Sequence, residues 1–443
     1  MTVQFPRFVS SDTELNITYD YRCELYGRHV KETPAGKVIT EFLPDVPWAG
    51  IYNTINCAAS HHFREGRWMQ DPSPLQEYAV FWCTEGNPRL YSFPLSHSVL
   101  AFARVTGDYS DALRLYPELA RVYGEWEDHR AEGGMYRQAC GYDGMEYSIS
   151  GDGVRPTINS YMVADARALA EIAERLGDTE GAERYRLDAD TLTRRINEEL
   201  WNPEIGMYGV RSESGVLQNV REQIGYIPWI YGIPPAGRDG CFCNLLDETC
   251  FLAPFGLRTA DASHPDYRKP FHHECLWNGP VWPFATAQTL TAVIEYLHTA
   301  EHPTMTPADF TRLLLQYAYS HRDEDGTPYL DENMDPETGV WLARSILRSW
   351  DPNGLDRGQH YNHSSFIDLV ITGICGICPA DGDELTIHPL GTSLESFALD
   401  GVRYHGHTLT VEWDRRAGLA LAVDGLRRAE AAPADDLRLT VTL

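Results

Sequence analysis

Gly144-Met145-Glu146-Tyr147-Ser148 and Asp331-Glu332-Asn333-Met334-Asp335-Pro336-Glu337-Thr338-Gly339 each set a carboxylate among aromatic and small polar residues, near predicted helix ends and far apart in sequence. Distant carboxylates that meet across one pocket can serve as general acid and general base, and a pair facing a glycosidic bond is the minimal machinery for its hydrolysis. The chemistry predicted is therefore glycoside hydrolysis. Glu146 and Glu332 are the candidate carboxylates of such a pair. A glutamate at a helix end is otherwise a cap or a solvated side chain, so the assignment depends on what surrounds it. Asp143 and Asp152 flank the first loop and stay open as alternative acids, whereas Asp335 sits in a segment of β-turn composition.

Sugar recognition calls for flat apolar faces and planar polar groups. Trp68, Trp229, Trp277 and Trp282 are candidate platforms, and Arg64, Glu65, Arg155, Asn159 and Glu222 are candidate partners for hydroxyls. Any one tryptophan can equally be core. His363, within His360-Tyr361-Asn362-His363-Ser364-Ser365-Phe366, joins the substrate-binding candidates. Asp323-Glu324-Asp325-Gly326 could hold a structural Ca²⁺ but lacks the twelve-residue EF-hand pattern, and neither a catalytic metal nor a cofactor is expected. The ten cysteines are scattered. Cys375 and Cys378 border an apolar stretch, which reads as buried structural thiols in a reducing compartment rather than a zinc site.

The elements that must position these groups are mainly helical as far as about residue 380. Met162, Ala166, Leu169, Ala173 and Leu176 recur at steps of three and four, Gly177-Asp178 ends the run, and Ala189, Leu192, Ile196 and Leu200 mark the next helix. The same grammar places a helix over 95–105, a break at Gly107-Asp108, and a helix carrying Leu119, Val122 and Trp126. Residues 282–297 follow, then a helix capped by Thr306-Pro307-Ala308-Asp309 and running to about His321, then residues 366–377. About ten to twelve helices, paired as hairpins, would form a ring of five or six units. After Cys378 the period changes to two, at 385–387, 402–404 and 408–413, with turns marked by Asp400-Gly401 and Asp424-Gly425. Two domains are expected: a helical catalytic domain over 1–380 and a small antiparallel β-module over 381–443 packed on it.

The formal net charge of −27 opposes binding to nucleic acid or to anionic membrane surfaces and suits a neutral polar ligand. No apolar run is long enough to span a bilayer, and the first residues lack a signal-peptide pattern. Cytoplasmic residence, a small carbohydrate substrate and an open question of homo-oligomerisation follow as expectations.

Four segments, in order, bring a family into view. Gly144-Met145-Glu146-Tyr147-Ser148 resembles the Gly-Met-Asp-Asn-Ser segment that carries the general acid in glycoside hydrolase family 63, and Asp331 to Gly339 resembles its Glu-Asn-Tyr-Asp-Pro-x-Thr-Gly segment with the general base. Trp277-Asn278-Gly279-Pro280-Val281-Trp282-Pro283 is similar to its Trp-Arg-Gly-Pro-x-Trp, and His62 to Asp71 is a looser match to the Arg-Glu-x-x-x-Trp-Asp of trehalases. The resemblance implies an all-α (α/α)6 barrel and an inverting, exo-acting glycosidase of the group of mannosylglycerate hydrolases, processing α-glucosidases and trehalases. This chain departs from the pattern where the family's Asp-Asn becomes Glu146-Tyr147, and where Phe-Gly-Trp-Ser gives way to His360 to Phe366. Two other classes compete: an (α/α)6 sugar epimerase or isomerase using His61, His62, His272, His273, His360 or His363, and a non-catalytic carbohydrate-binding protein.

Overall fold

A computed structural model describes residues 3–354, 356–434 and 437–443. The helices lie where the apolar period put them. Pro156–Leu176 and Thr179–Glu199 are joined by Gly177 in the left-handed conformation, and by Asp178, whose side chain accepts from the Gly181 N–H at 3.0 Å. Leu95–Thr106 likewise ends on left-handed Gly107 (φ 74°). Pro283–Thr299 is followed by Pro307–Tyr319, whose start is a reciprocal cap: Thr306 Oγ1 accepts from the Asp309 N–H and Asp309 accepts from the Thr306 N–H.

Successive helices pack into a ring. Ala59–Gly66 contacts Leu95–Thr106, which contacts Pro156–Leu176, then Ile227–Ile230 and Pro283–Thr299. The helical segment starting with Phe366–Asp368 contacts Pro283–Thr299 on one side and Ala59–Gly66 on the other, closing the circuit. Thr13–His29, Thr179–Glu199 and Pro307–Tyr319 pack against members of this ring. Among the described residues no helix is long and apolar enough to cross a membrane.

Two expectations need correction. The helix foreseen over 366–377 is α-helical only at Phe366–Asp368. It widens to a π-helix at Leu369–Ile374 and stops before the strand Ile377–Cys378. The packing here is close enough to require glycine: a Cβ on Gly373 would lie 2.4 Å from the Phe310 ring, and one on left-handed Gly376, where the helical segment has ended, would lie 2.2 Å from the His388 backbone. Asp400-Gly401 is not a turn but a bulge within the strand Ser396–Tyr404, where the register shifts. Asp424 and Gly425, both with positive φ, do form the predicted turn.

Of the period-two stretches, 402–404 and 408–413 fall in an antiparallel sheet of Ser396–Tyr404, His407–Asp414, Gly418–Val423 and Leu426–Ala431, whereas 385–387 lies in Glu384–Ile387, the middle strand of a separate three-stranded sheet with Leu439–Thr442 and Ile377–Cys378. The other edge of the larger sheet is Arg7–Ser10, from the opposite end of the chain, which pairs Phe8 with Leu399 and Val9 with Ala398. Phe397, Leu399, Val411, Trp413 and Leu421 are buried in one apolar core with residues of the ring helices, so sheet and ring pack as one body.

Candidate active site

The loop that carries Glu146 is fixed by buried charge. Asp143 accepts from Arg155 Nε at 2.6 Å and from the hydroxyls of Thr157 and Ser92, with Asp143 and Arg155 side chains excluded from solvent. Glu222 accepts from the Ile149 N–H at 2.7 Å and from Ser150. Asn159 ties the start of Pro156–Leu176 to Tyr136 through both backbone groups. Gly144 is left-handed, and a Cβ there would lie 2.3 Å from Cys57 Sγ. The Trp277 N–H donates to the Glu146 carbonyl at 3.0 Å, linking the tryptophan segment to the acid itself.

The loop that carries Glu332 is held by backbone pairing. Met334 exchanges two hydrogen bonds with Val281, and Asn333 donates to the Glu274 carbonyl while its Oδ1 accepts from the Ala343 N–H. Asp335 closes the predicted turn by accepting from the N–H groups of Glu337 and Thr338.

Glu146 and Glu332 meet in a cavity of about 370 Å³ that also presents Glu41, Trp282, Glu274 and Arg357. Its lining residues Cys57, Tyr91, Trp282 and Tyr361 each lie just ahead of a ring helix. Glu146 makes no ion pair among the described residues; burial, followed by the nearby charge of Glu332, pushes it up to about 7. Glu332 instead accepts from Arg357 Nε at 2.9 Å and Nη2 at 3.2 Å, and from the Cys275 thiol at 3.1 Å. Arg357 also reaches Glu274 at 2.5 Å and covers Trp48; against the effect of burial it keeps Glu274 below the usual carboxylate range. Asp331 faces away, accepting from Tyr329 at 2.9 Å and from the Glu332 N–H, and burial lifts it to about 7.

The other predicted residues divide sharply. Trp282 lines the cavity, and Trp277 stacks behind it with ring centroids 4.3 Å apart. His363 is fully buried beneath Tyr361, its Nε2 bonded to the Asp331 carbonyl. Arg155, Asn159 and Glu222 clamp the acid loop rather than line the cavity. Trp229 packs among Tyr208 and Phe242. Arg64, Glu65 and Trp68 lie elsewhere. Trp68 Nε1 donates to Asp368 at 2.7 Å, and Glu65 pairs with Arg22 at 2.8 Å with both side chains fully buried. Arg64 faces a separate cavity with Arg67, Arg104 and Glu295, residues in or after the last turns of ring helices. Helical geometry explains this: the sites sit ahead of the ring helices, and residues 64–68 come one to two turns after the start of Ala59–Gly66. Asp143 is consumed by its ion pair with Arg155. Asp152 accepts from the Cys140 N–H at 2.8 Å at the border of a second cavity.

Two residues with strong local effects carried no sequence signal of their own. Glu41, fully buried, accepts from the Tyr361 hydroxyl, and its second oxygen has no hydrogen-bond partner. Burial above all, reinforced by the charges of Glu332 and Glu146, pushes it up to about 8. Arg357 is an isolated cation in a polar loop of the sequence. His273, Glu274 and Cys275 place one ligand atom each within 4.8 Å of one another and could hold a metal ion, although Glu274 and Cys275 already serve Arg357 and Glu332. In the loop considered for Ca²⁺, Asp323 is engaged by Arg344 at 2.7 and 3.1 Å.

A carboxyl group raised toward neutrality by burial thus shares one cavity with a second carboxyl held on a guanidinium. The chain belongs to the mannosylglycerate hydrolase MGH1-like glycoside hydrolase family, whose characteristic domain matches residues 51–364. Among solved structures it is similar to a sialidase at 35% identity and a TM-score of 0.92, over 98% of this chain and 41% of that one. It therefore spans less than half of that protein's length. It also resembles a family 78 rhamnosidase of a Bacillus species (15% identity, TM-score 0.62, 96% of this chain and 42% of that one). A third likeness is to the family 63 mannosylglycerate hydrolase of Thermus thermophilus in complex with glucose (14% identity, TM-score 0.55, 80% of this chain and 98% of that one). At such identities these last two speak for the fold, a helical one of the family 63 type with a C-terminal sheet.

Proposed function

We propose that this enzyme is an inverting, exo-acting glycoside hydrolase built on an (α/α)6 barrel, with Glu146 as general acid and Glu332 as general base. The observation that carries the reading is the shared cavity, in which Glu146 has burial without a counter-ion while Glu332 is bonded to Arg357. The closed circuit of helix contacts supports the barrel. In the reaction, Glu146 gives its proton to the glycosidic oxygen as the bond to the anomeric carbon breaks. Glu332 takes a proton from a water that attacks the opposite face, so the configuration inverts. Trp282 offers the ring a flat face, and Glu41 offers the same cavity a carboxyl group for a sugar hydroxyl.

The substrate favoured is a short glycoside with a neutral sugar at the non-reducing end. Four carboxyl groups border the inner cavity against Arg357, already bonded by two of them, so a carboxylated sugar would find no free counter-ion there. Cytoplasmic residence is part of the reading, supported by ten unpaired cysteines. The histidine isomerase loses support because, of the six histidines considered, His273 alone lines this cavity, while His61, His62 and His363 are buried with pKa values depressed by desolvation.

Proton NMR on a panel of α- and β-linked glucosides, mannosides, galactosides, rhamnosides and a sialoside, followed before mutarotation, tests the proposal. Release of a neutral sugar with inverted configuration is expected. Retention, or preference for the sialoside, would overturn the mechanism or the substrate class respectively.

A further inference from the structure

Glu146 borders not one cavity but two. The second, about 620 Å³ and more open, is walled by Tyr147, Phe271, Cys140, Ile149 and Lys269. Tyr147 follows the acid directly and adopts φ 59°, the left-handed conformation that costs a bulky residue free energy and that asparagine tolerates. That backbone turn holds its ring, 40% exposed, at 4.7 Å from the equally exposed ring of Phe271. A strained residue whose large side chain stays exposed beside a reacting group points to a ligand for that side chain. Lys269, the cation of this wall, is paired with Asp266 at 3.1 Å.

We infer that this outer cavity is the leaving-group subsite and that it takes a ring with a flat apolar face, a sugar or an aromatic, stacked on Tyr147 and Phe271, rather than a small acid such as glycerate. The inference rests on Glu146 being the acid: the departing oxygen must lie at its carboxyl, so the group attached to that oxygen extends away from Glu332, into the space Tyr147 borders. A carboxylate there would share Lys269 with Asp266 and would lie near Asp152.

The test is calorimetric binding to the Glu332→Gln enzyme of methyl glycosides, benzyl glycosides and disaccharides that share one non-reducing sugar, using glucose, mannose, galactose and rhamnose in both anomers. At least tenfold tighter binding of ring-bearing ligands than of the methyl glycoside is expected. Tyr147→Asn should reduce that preference about tenfold and raise Tm by relieving the backbone. Disaccharide over benzyl would identify a sugar as the leaving group, and the reverse order an aromatic; either supports the subsite. Equal binding of methyl and ring-bearing ligands, binding of none of them, a preference that survives Tyr147→Asn, or a Tm that falls with that substitution would overturn it. Ring preference in an enzyme whose wild type cleaves no glycoside would leave the subsite standing and remove the hydrolase reading instead.

Discussion

The two loops that carry Glu146 and Glu332 solve opposite problems. Under the acid, charge is spent on the scaffold: Asp143, Arg155 and Glu222 are buried and bonded to the loop, and Glu146 itself is left without a counter-ion. Under the base, the scaffold is backbone pairing and the charge is spent on the carboxyl through Arg357. Buried ion pairs hold a loop in place without approaching the reacting proton, so a group meant to stay neutral can be surrounded by charge that never touches it.

Breaking either carboxyl should have the largest effect. Glu146→Gln and Glu332→Gln should each lower kcat/KM about a thousandfold in steady-state assays, in the range of general acid–base contributions. Arg155→Met should act on the acid side alone: it strands buried Asp143 and should cost about 3 kcal/mol of stability by denaturant titration. Arg357→Gln should act on the base side, lowering kcat/KM by about tenfold to a hundredfold through misplacement of Glu332.

The comparison also has a pH signature. Activity should fall as pH rises through about 7, where Glu146 loses its proton. Because the charge of Glu332 raises that value and Arg357 lowers it, the falling limb of residual activity should move down in Glu332→Gln and up in Arg357→Gln. Stability follows the same sign. Glu41, raised to about 8, contributes stability that is complete below the unfolded-state value near 4.5 and is lost as pH rises through 8, so Tm should decline over that window and decline less in Glu41→Gln. The smallest effect expected is from Thr306→Ala, far from both loops in sequence, which should cost about 1 kcal/mol through the lost helix cap and leave kcat unchanged.

Much of this was legible in the sequence because it is local. The apolar period, the Gly-Asp breaks and the Thr306 cap depend on neighbours a few residues away, and they located the helices. The carboxyl segments were recognisable through their likeness to the family's motifs, which keep each acidic residue among fixed neighbours in one short stretch of chain. What escaped depends on distant partners: Glu41 takes its character from Tyr361, and Arg357 from Glu332 and Glu274. Arg64, Glu65 and Trp68 were misleading for a related reason. Their spacing fixes which face of a helix they share but not which end of the ring that helix presents to the site. Arg155 and Glu222 were expected to meet sugar hydroxyls, yet whether such a group faces sugar or scaffold is decided by packing that no local pattern encodes.

The strand Arg7–Ser10 carries a consequence for how the chain is made. Its partners, Phe397 to Asp400, are synthesised almost a whole chain length later, which at ribosomal speeds is a delay of tens of seconds. For that interval Arg7–Ser10 has no partner in this sheet, because Ser396–Tyr404 is its one neighbour there. Pairing across so long a sequence separation closes a large loop, which makes this edge of the sheet a slow contact to form.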